Sequence, residues 1–457
     1  MLRFFRINDP YRLIFIFLIL IGIRLVQTSF IEGQFLLELK WLLLGEWLDK
    51  GFKMYQEAYD YTGPLAAVIY KYLDFLFGRS PLTHHVFSSL LIIFQAGLFN
   101  RILLKNKAFD ENNYLPAFFY VIATLSIPDF MALSPQLISM TFILQALSSV
   151  LRRIDNQATD QLFLNSGLFV GVATMIYLPS FVFFFVFLVS LIIFSSAIAR
   201  RLLMYLFGFG LIIGMSALYF FWRGDLYFFA QYFFVQGLFL DGDFLLSFGD
   251  ILTISSFFIA VFVITVGKSL TTARLTNFQQ RVQQVIWLMF VGGICCYFLT
   301  NKKTGIELIF LVPLIAYFLT HYFMMIRKRF FKAIMPGVFV LGLLGFNAYA
   351  YSNLLDALVV SELPTGEANI MVLDENFGYY LNKEAGSPCF SRSICQQAFE
   401  GLEYYEASSS IYKLIDNANP DLIIDDLGVA PDIFYRFPLL EKMYAKRGLK
   451  TYYRISN

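Results

Sequence analysis

The sequence predicts an α-helical polytopic membrane protein with about eleven transmembrane helices, followed by a small C-terminal α/β domain. Three observations lead there. Of 457 residues, 58% are hydrophobic and only 15% are charged, too apolar a balance for a soluble globular chain. Apolar stretches of near-spanning length recur between residues 11 and 351. From about Asn353 the composition becomes mixed, and strand-like and helix-like runs alternate. The division predicted is therefore 1–352 for the membrane part and 353–457 for the tail.

The same composition sets aside nucleic acid as a partner. The net charge is only +2, from 35 basic and 33 acidic residues, and no dense basic patch stands outside the membrane flanks. The 54 Phe and 27 Tyr cluster in runs such as FVFFFVFLVSLIIF, which read as lipid-facing or bundle-core helix and not as platforms for bases.

The opening MLRFFRINDPYRLIFIFLILIGIRLV has a basic flank and an apolar core but no small-x-small cleavage site. It reads as an uncleaved first span with Arg3, Arg6 and Arg12 on the cytoplasmic side. Further apolar stretches fall at about 84–104, 114–129, 134–151, 161–176, 178–198, 202–222, 249–267, 283–299, 305–325 and 333–351. With the N-terminus inside, these eleven spans place every basic cluster in a cytoplasmic turn, from Arg101, Lys105 and Lys107 through Arg327, Lys328, Arg329 and Lys332. A twelfth span at PLAAVIYKYLDFLFG would invert all clusters after it. That segment instead reads as a juxtamembrane helix on the outer face, about 20 Å long and too short for a hydrocarbon core of about 30 Å. Pro64 suits its first turn, and Lys71 and Asp74 are positions an interfacial helix keeps wet. The preceding EGQFLLELKWLLLGEWLDKG, with Glu38, Lys40, Glu46 and Asp49 interleaved among leucines, reads as a second interfacial helix ended by Gly51.

Two juxtamembrane helices directly after the first span, the acidic Glu32 in SFIEGQ, and the phrase GEWLDKGFKMYQEAYDYTGPLAAVIYKYLDFLFG together resemble the GT-C superfamily of membrane glycosyltransferases. Lipid A aminoarabinose transferases and protein mannosyltransferases belong to that group. The likeness covers about residues 10–155. Beyond it lie a shared hydropathy layout and KKTGIELIFLVPLIAYF, similar to the family's late span with a Pro after a polar turn.

The resemblance implies transfer of a sugar from a polyprenyl-phosphate donor to an envelope acceptor on the outer face of a bacterial inner membrane. A carboxylate would deprotonate or orient the acceptor, and basic side chains would neutralise the leaving phosphate. Glu32 matches the family's first-loop acid and is the preferred catalytic candidate. It equally suits an acidic residue that ends a span in water. Where family members carry another Asp, LSIPDFMALSPQLISM has Gln136, which cannot be a base, and Asp129 lies seven residues earlier. Asp129 is thus the second catalytic candidate, or simply the cap of a span. Lys302, Lys303 and Arg223 face outward in this topology and are candidates for the lipid phosphate, or anchors for outer headgroups. Lys53, Asp60 and Lys71, on or beside the juxtamembrane helices, complete the substrate-binding candidates.

No metal or cofactor is expected beyond the lipid-linked donor. DGD with Asp241, Asp243 and Asp250 lacks the EF-hand spacing, and His84, His85 and His321 have no companion ligands. In the tail, Cys389 and Cys395 are spaced for a structural disulfide in an oxidising, periplasmic compartment. Asp374, Asp425 and Asp426 stand at strand ends, where ligands bind in α/β sheets. Expected partners are membrane lipids, the polyprenyl-linked sugar and envelope proteins met through the tail. The competing reading is a GT-C-like protein without transfer activity that scaffolds an envelope or secretion assembly.

Overall fold

The computed structural model describes residues 2–7, 9–30, 33–154, 160–195, 198–239, 245–272, 275–300, 302–326, 329–352, 359–360, 369–400 and 405–455. All eleven apolar stretches are helical, as Arg12–Phe30, Pro81–Lys105, Leu115–Thr124, Pro135–Ile154, Gln161–Ile176, Val182–Phe194, Ala199–Arg223, Phe248–Thr272, Asn277–Leu299, Val312–Met325 and Arg329–Ser352. Among the described residues six helices are long and apolar enough to cross a membrane, or up to seven if the bent pair Phe248–Phe257 and Ile259–Lys268 is one span. The protein is therefore a multi-pass membrane protein. The full count of eleven is not reached by this measure, partly because prolines shorten three of the stretches. Leu115–Thr124 stops before the 3-10 turn at Pro128, and Tyr177 turns extended ahead of the 3-10 turn Leu178–Phe181, separating Gln161–Ile176 from the next helix.

The chain divides into two compact units. The first comprises Met1–Glu32, His84–Ser216 and Gly242–Leu358. Its closest helix packing uses small residues. A Cβ added at Gly208 would lie 2.5 Å from the Leu164 carbonyl oxygen, and one at Gly167 would collide with the Tyr205 carbonyl. Glycine at both places lets the helices Gln161–Ile176 and Ala199–Arg223 touch backbone to backbone, the packing that takes over where lipid offers no hydrophobic drive. Thr276 and Gln279 form a reciprocal capping box at Asn277–Leu299.

The second unit comprises Gly33–Thr83, Ala217–Asp241 and Val359–Asn457. The expected tail is thus joined in one unit by the two juxtamembrane helices. These are Leu36–Asp49 and Pro64–Phe77, fourteen residues each and about 21 Å long at 1.5 Å per residue. They pack so closely that a Cβ on Gly45 would lie 2.7 Å from the Tyr70 carbonyl oxygen. Glu38 and Lys40, interleaved among the leucines of the first helix, are each only 2% exposed, and Lys40 pairs there with Asp60. β1 (Gln34–Phe35), just ahead of that helix, pairs antiparallel with β2 (Val359–Val360).

The tail forms a four-stranded sheet in the order β3-β4-β6-β5, from β3 (Ile370–Val372), β4 (Leu422–Ile424), β5 (Tyr444–Lys446) and β6 (Thr451–Arg454). β3 and β4 are parallel, and the other pairings are antiparallel. β3, β4 and β6 coincide with the strand-like runs ANIMVLD, PDLIIDD and KTYYRIS of the sequence. β5 falls in DIFYRFPLLEKMYAKRG, whose pattern predicts a helix; the region splits instead into the helices Ala430–Arg436 and Pro438–Met443 and the edge strand. Pro438 opens the second helix, and the Tyr444–Lys446 backbone is captured by β6.

Candidate functional site

In the first unit, sequence dictates a break between two helices. ATLSIPDFMALSP ends the helix Leu115–Thr124, forms the 3-10 turn Pro128–Met131, turns extended at Ala132, and restarts at Pro135. The Ser134 hydroxyl accepts from the Leu137 amide at 3.1 Å, an N-cap with Pro at the first helical position. Asp129 lies in this turn and is 3% exposed. Neither of its carboxylate oxygens meets a donor in hydrogen-bonding geometry among the described residues, although the Gly305 amide of a facing turn lies nearby. A buried carboxylate without a side-chain donor is the exception that calls for an explanation.

The facing turn begins TGIE. The Thr304 amide and hydroxyl both donate to Glu307 Oε2, at 3.2 and 3.1 Å, and the Ile306 amide donates to Thr304 Oγ1 at 3.2 Å. Glu307 Oε1 accepts from Gln136 Nε2 at 3.2 Å. Glu307 is 1% exposed and close enough to Asp129 for their charges to repel. The first unit therefore gathers two buried carboxylates, the Gln136 amide and the Tyr297 hydroxyl. Gln136 Oε1 and the Tyr297 hydroxyl have no hydrogen-bond partner among the described residues.

Beside this cluster lies a cavity of about 490 Å³ with an almost wholly apolar wall. Ile127 and Phe130, which flank Asp129, line it together with Leu308 and Leu311 of the Glu307 turn, and with Tyr297. Its size is that of a small-molecule or single-chain lipid site, and its wall suits a hydrocarbon.

Glu307 stands inside KKTGIELIFLVPLIAYF and is not among the residues that sequence alone singles out. The signal was the T-x-x-E pattern ahead of an apolar run, which marks a helix start and places the acid at the end of a span. Lys302 and Lys303, predicted phosphate ligands, immediately precede this turn and are partly buried. Glu32 lies outside the described residues, as do Asp241 and Asp243.

The remaining candidates belong to the second unit. Asp60 is fully buried and forms an ion pair with Lys40 at 2.7 Å, while Thr62 Oγ1 donates to its other oxygen at 2.5 Å. Burial disfavours the Lys40 ammonium, but the Asp60 charge and the Tyr61 side chain more than offset this and hold its pKa above the ordinary value. Asp60 thus serves an internal pair in this structure. Lys53 Nζ donates to Gln56 Oε1 at 3.1 Å, Lys71 is half-exposed, and exposed Arg223 donates to the Tyr219 hydroxyl at 2.9 Å.

Cys389 and Cys395 are bonded, and the segment around them is stitched to the first juxtamembrane loop. The Tyr59 amide donates to the Pro388 carbonyl at 2.8 Å, and the Phe390 amide to the Tyr59 carbonyl at 3.2 Å. Asp425 accepts from the amides of Gly428, Val429 and Ala430, so it caps the helix Ala430–Arg436. Asp426 pairs with Lys450 at 3.3 Å, and Asp374 faces Arg392 at 3.7 Å. Among the described residues no three His, Cys, Asp or Glu side chains converge as metal ligands.

Neither a protein-family model nor a curated protein matches this chain. Solved structures do. ArnT from Cupriavidus metallidurans bound to undecaprenyl phosphate superposes with a TM-score of 0.58 at 11% identity, over 97% of this chain and 98% of that one. The same enzyme in the apo state gives 0.57 at 12% identity, over 96% of each chain. The apo oligosaccharyltransferase of Archaeoglobus fulgidus gives 0.51 at 10% identity, over 98% of this chain and 75% of that one. At such identities the likeness is one of fold. The protein described here has the fold of the GT-C membrane glycosyltransferases along nearly its whole length.

Proposed function

We propose that this protein is a glycosyltransferase of the bacterial cytoplasmic membrane that moves a sugar from a polyprenyl-phosphate donor to an envelope acceptor on the outer face. The observation that carries the reading is Asp129, a buried carboxylate without a side-chain donor among the described residues, on a turn whose neighbours wall an apolar cavity. That juxtaposition is what transfer from a lipid carrier requires, a hydrocarbon site next to a polar reaction centre. The chain-long likeness to ArnT, whose structure was determined with undecaprenyl phosphate, supports the same donor class.

In this reading the acceptor hydroxyl or amide gives its proton to a carboxylate, Asp129 or Glu32, as its oxygen or nitrogen bonds to the sugar's anomeric carbon. The bond from that carbon to the phosphate oxygen breaks, and the phosphate leaves with the electron pair. Lys302 and Lys303 neutralise it. Lys53, Lys71 and Arg223 remain candidates for the donor's headgroup or the acceptor. The N-terminus is cytoplasmic, and the C-terminal sheet, with its disulfide, is periplasmic and contacts the acceptor or envelope partners.

The test compares envelope glycans by mass spectrometry in cells with wild-type protein, Asp129→Asn, Glu32→Gln or no protein, with accumulation of each form checked. Loss of one glycan on deletion, and a fall of at least about 100-fold with an accumulated Asp129→Asn protein, is expected for a lost general base. Deletion that impairs the envelope while every glycan persists would instead establish a scaffold without transfer activity.

A further inference from the structure

Arg24 lies well inside the first helix, Arg12–Phe30, and is only 6% exposed. A cation held in a span is costly and is retained where it acts on something. Its Nη1 donates to Ser88 Oγ at 2.8 Å, to the His85 carbonyl at 3.1 Å, and to Ser89 Oγ. Its Nη2 donates to the Phe130 carbonyl at 2.7 Å. Ser88 Oγ in turn donates to the Met131 carbonyl at 2.5 Å.

The two carbonyls so held belong to the residues directly after Asp129. Because the chain turns extended at Ala132, the 3-10 turn stops there and leaves them to side-chain donors. The planar guanidinium fork serves two directions at once, the helix Pro81–Lys105 through one nitrogen and the Asp129 turn through the other. A lysine would keep the charge and lose one of the two.

We propose that Arg24 is a positioning residue that fixes the Asp129 turn against the apolar cavity, with Ser88 as its relay. The proposal rests on Asp129 being the working carboxylate, and it is tested apart from that reading. Among the described residues, the charge that reaches Asp129 is that of Glu307 on the facing turn; Arg24 holds the carbonyl of the next residue, Phe130, and His84 and His85 stand on the helix Pro81–Lys105 that Arg24 also grips.

The experiment uses the full chain in lipid nanodiscs. Wild type, Arg24→Lys, Arg24→Gln and Ser88→Ala are treated with dicyclohexylcarbodiimide, which labels protonated carboxyls in apolar surroundings, over a pH series. Labelling at Asp129 and at Asp74 is read by peptide mass spectrometry. Arg24→Gln is expected to move the Asp129 labelling midpoint by about one pH unit or more. Arg24→Lys should restore part of the shift, Ser88→Ala should produce a smaller one, and Asp74 should stay unchanged. An Asp129 profile that coincides with wild type in a folded Arg24→Gln protein overturns the proposal, as does an equal shift at Asp74. Should Arg24→Gln fail to fold, Ser88→Ala decides by the same criterion. Asp129→Asn in the glycan assay addresses the functional reading alone, since an unchanged glycan there overturns that reading and leaves the labelling comparison intact.

Discussion

Gln136 and Glu307, separated by 171 positions in the chain, meet at 3.2 Å, the Gln136 amide nitrogen donating to Glu307 Oε1. The bond ties the first turn of the helix Pro135–Ile154 to the turn Ile306–Leu311, and so holds two of the walls around Asp129 in register. Replacing Gln136 by Leu leaves one buried carboxylate oxygen without its donor. A loss of about 1–3 kcal/mol is expected, read as a lower thermal midpoint of the purified protein. Glu307→Gln, which keeps the cap, should lose less than Glu307→Ala.

The Lys40–Asp60 pair gives a second expectation. Both side chains are buried, so Lys40→Met strands an uncompensated carboxylate and should cost about 3–5 kcal/mol. The double variant Lys40→Met with Asp60→Leu should recover most of that loss. Limited proteolysis of the 50–63 loop reports it: faster cleavage in the single variant, near wild-type cleavage in the double. Equal cleavage in both would show that the pair contributes nothing beyond packing.

Asp74 supplies the pH dependence. Burial, and then the charges of Glu46 and Asp49, push its pKa from 3.8 up to about 6. A raised carboxylate means that the folded state binds the proton more tightly than the unfolded one. Stability from this group is therefore complete below about 3.8, falls as pH rises toward about 6, and stays lost above it. Asp74→Asn should raise the thermal midpoint at neutral pH and leave it unchanged in acid. Because the group is only half-buried, the gain is about 1 kcal/mol or less.

Gly208 tests the helix packing of the first unit. Leucine there would drive its Cβ to 2.5 Å from the Leu164 carbonyl oxygen, a backbone atom that cannot swing aside. The helices Gln161–Ile176 and Ala199–Arg223 must separate, with a loss of about 1–3 kcal/mol or more. Gly210→Leu, on the same helix with open space around it, should have little effect in the same thermal assay.

The contrast between Asp129 and Asp60 shows where sequence reading stopped. Both were acids beside Pro-containing turns and both were candidates for chemistry. Packing gave Asp60 a lysine and a threonine, and gave Asp129 neither. Nothing local distinguishes them, because the partners that decide the outcome come from other elements. Glu307 escaped notice for a related reason: its local pattern is that of a helix cap, and only its meeting with Gln136 and Asp129 makes it part of a site.

Hydropathy and length by themselves determined that this chain is a multi-pass helical membrane protein with two short helices after the first span and a small α/β tail. Lipid demands long apolar helices whatever packs against them, and strands announce themselves by alternation. What only the tertiary structure decided is which charges are spent on internal bonds, that the juxtamembrane helices share a unit with the tail, and that an apolar cavity adjoins Asp129. Those are long-range meetings of residues, and their energy depends on burial and partner geometry, which no single stretch of sequence contains.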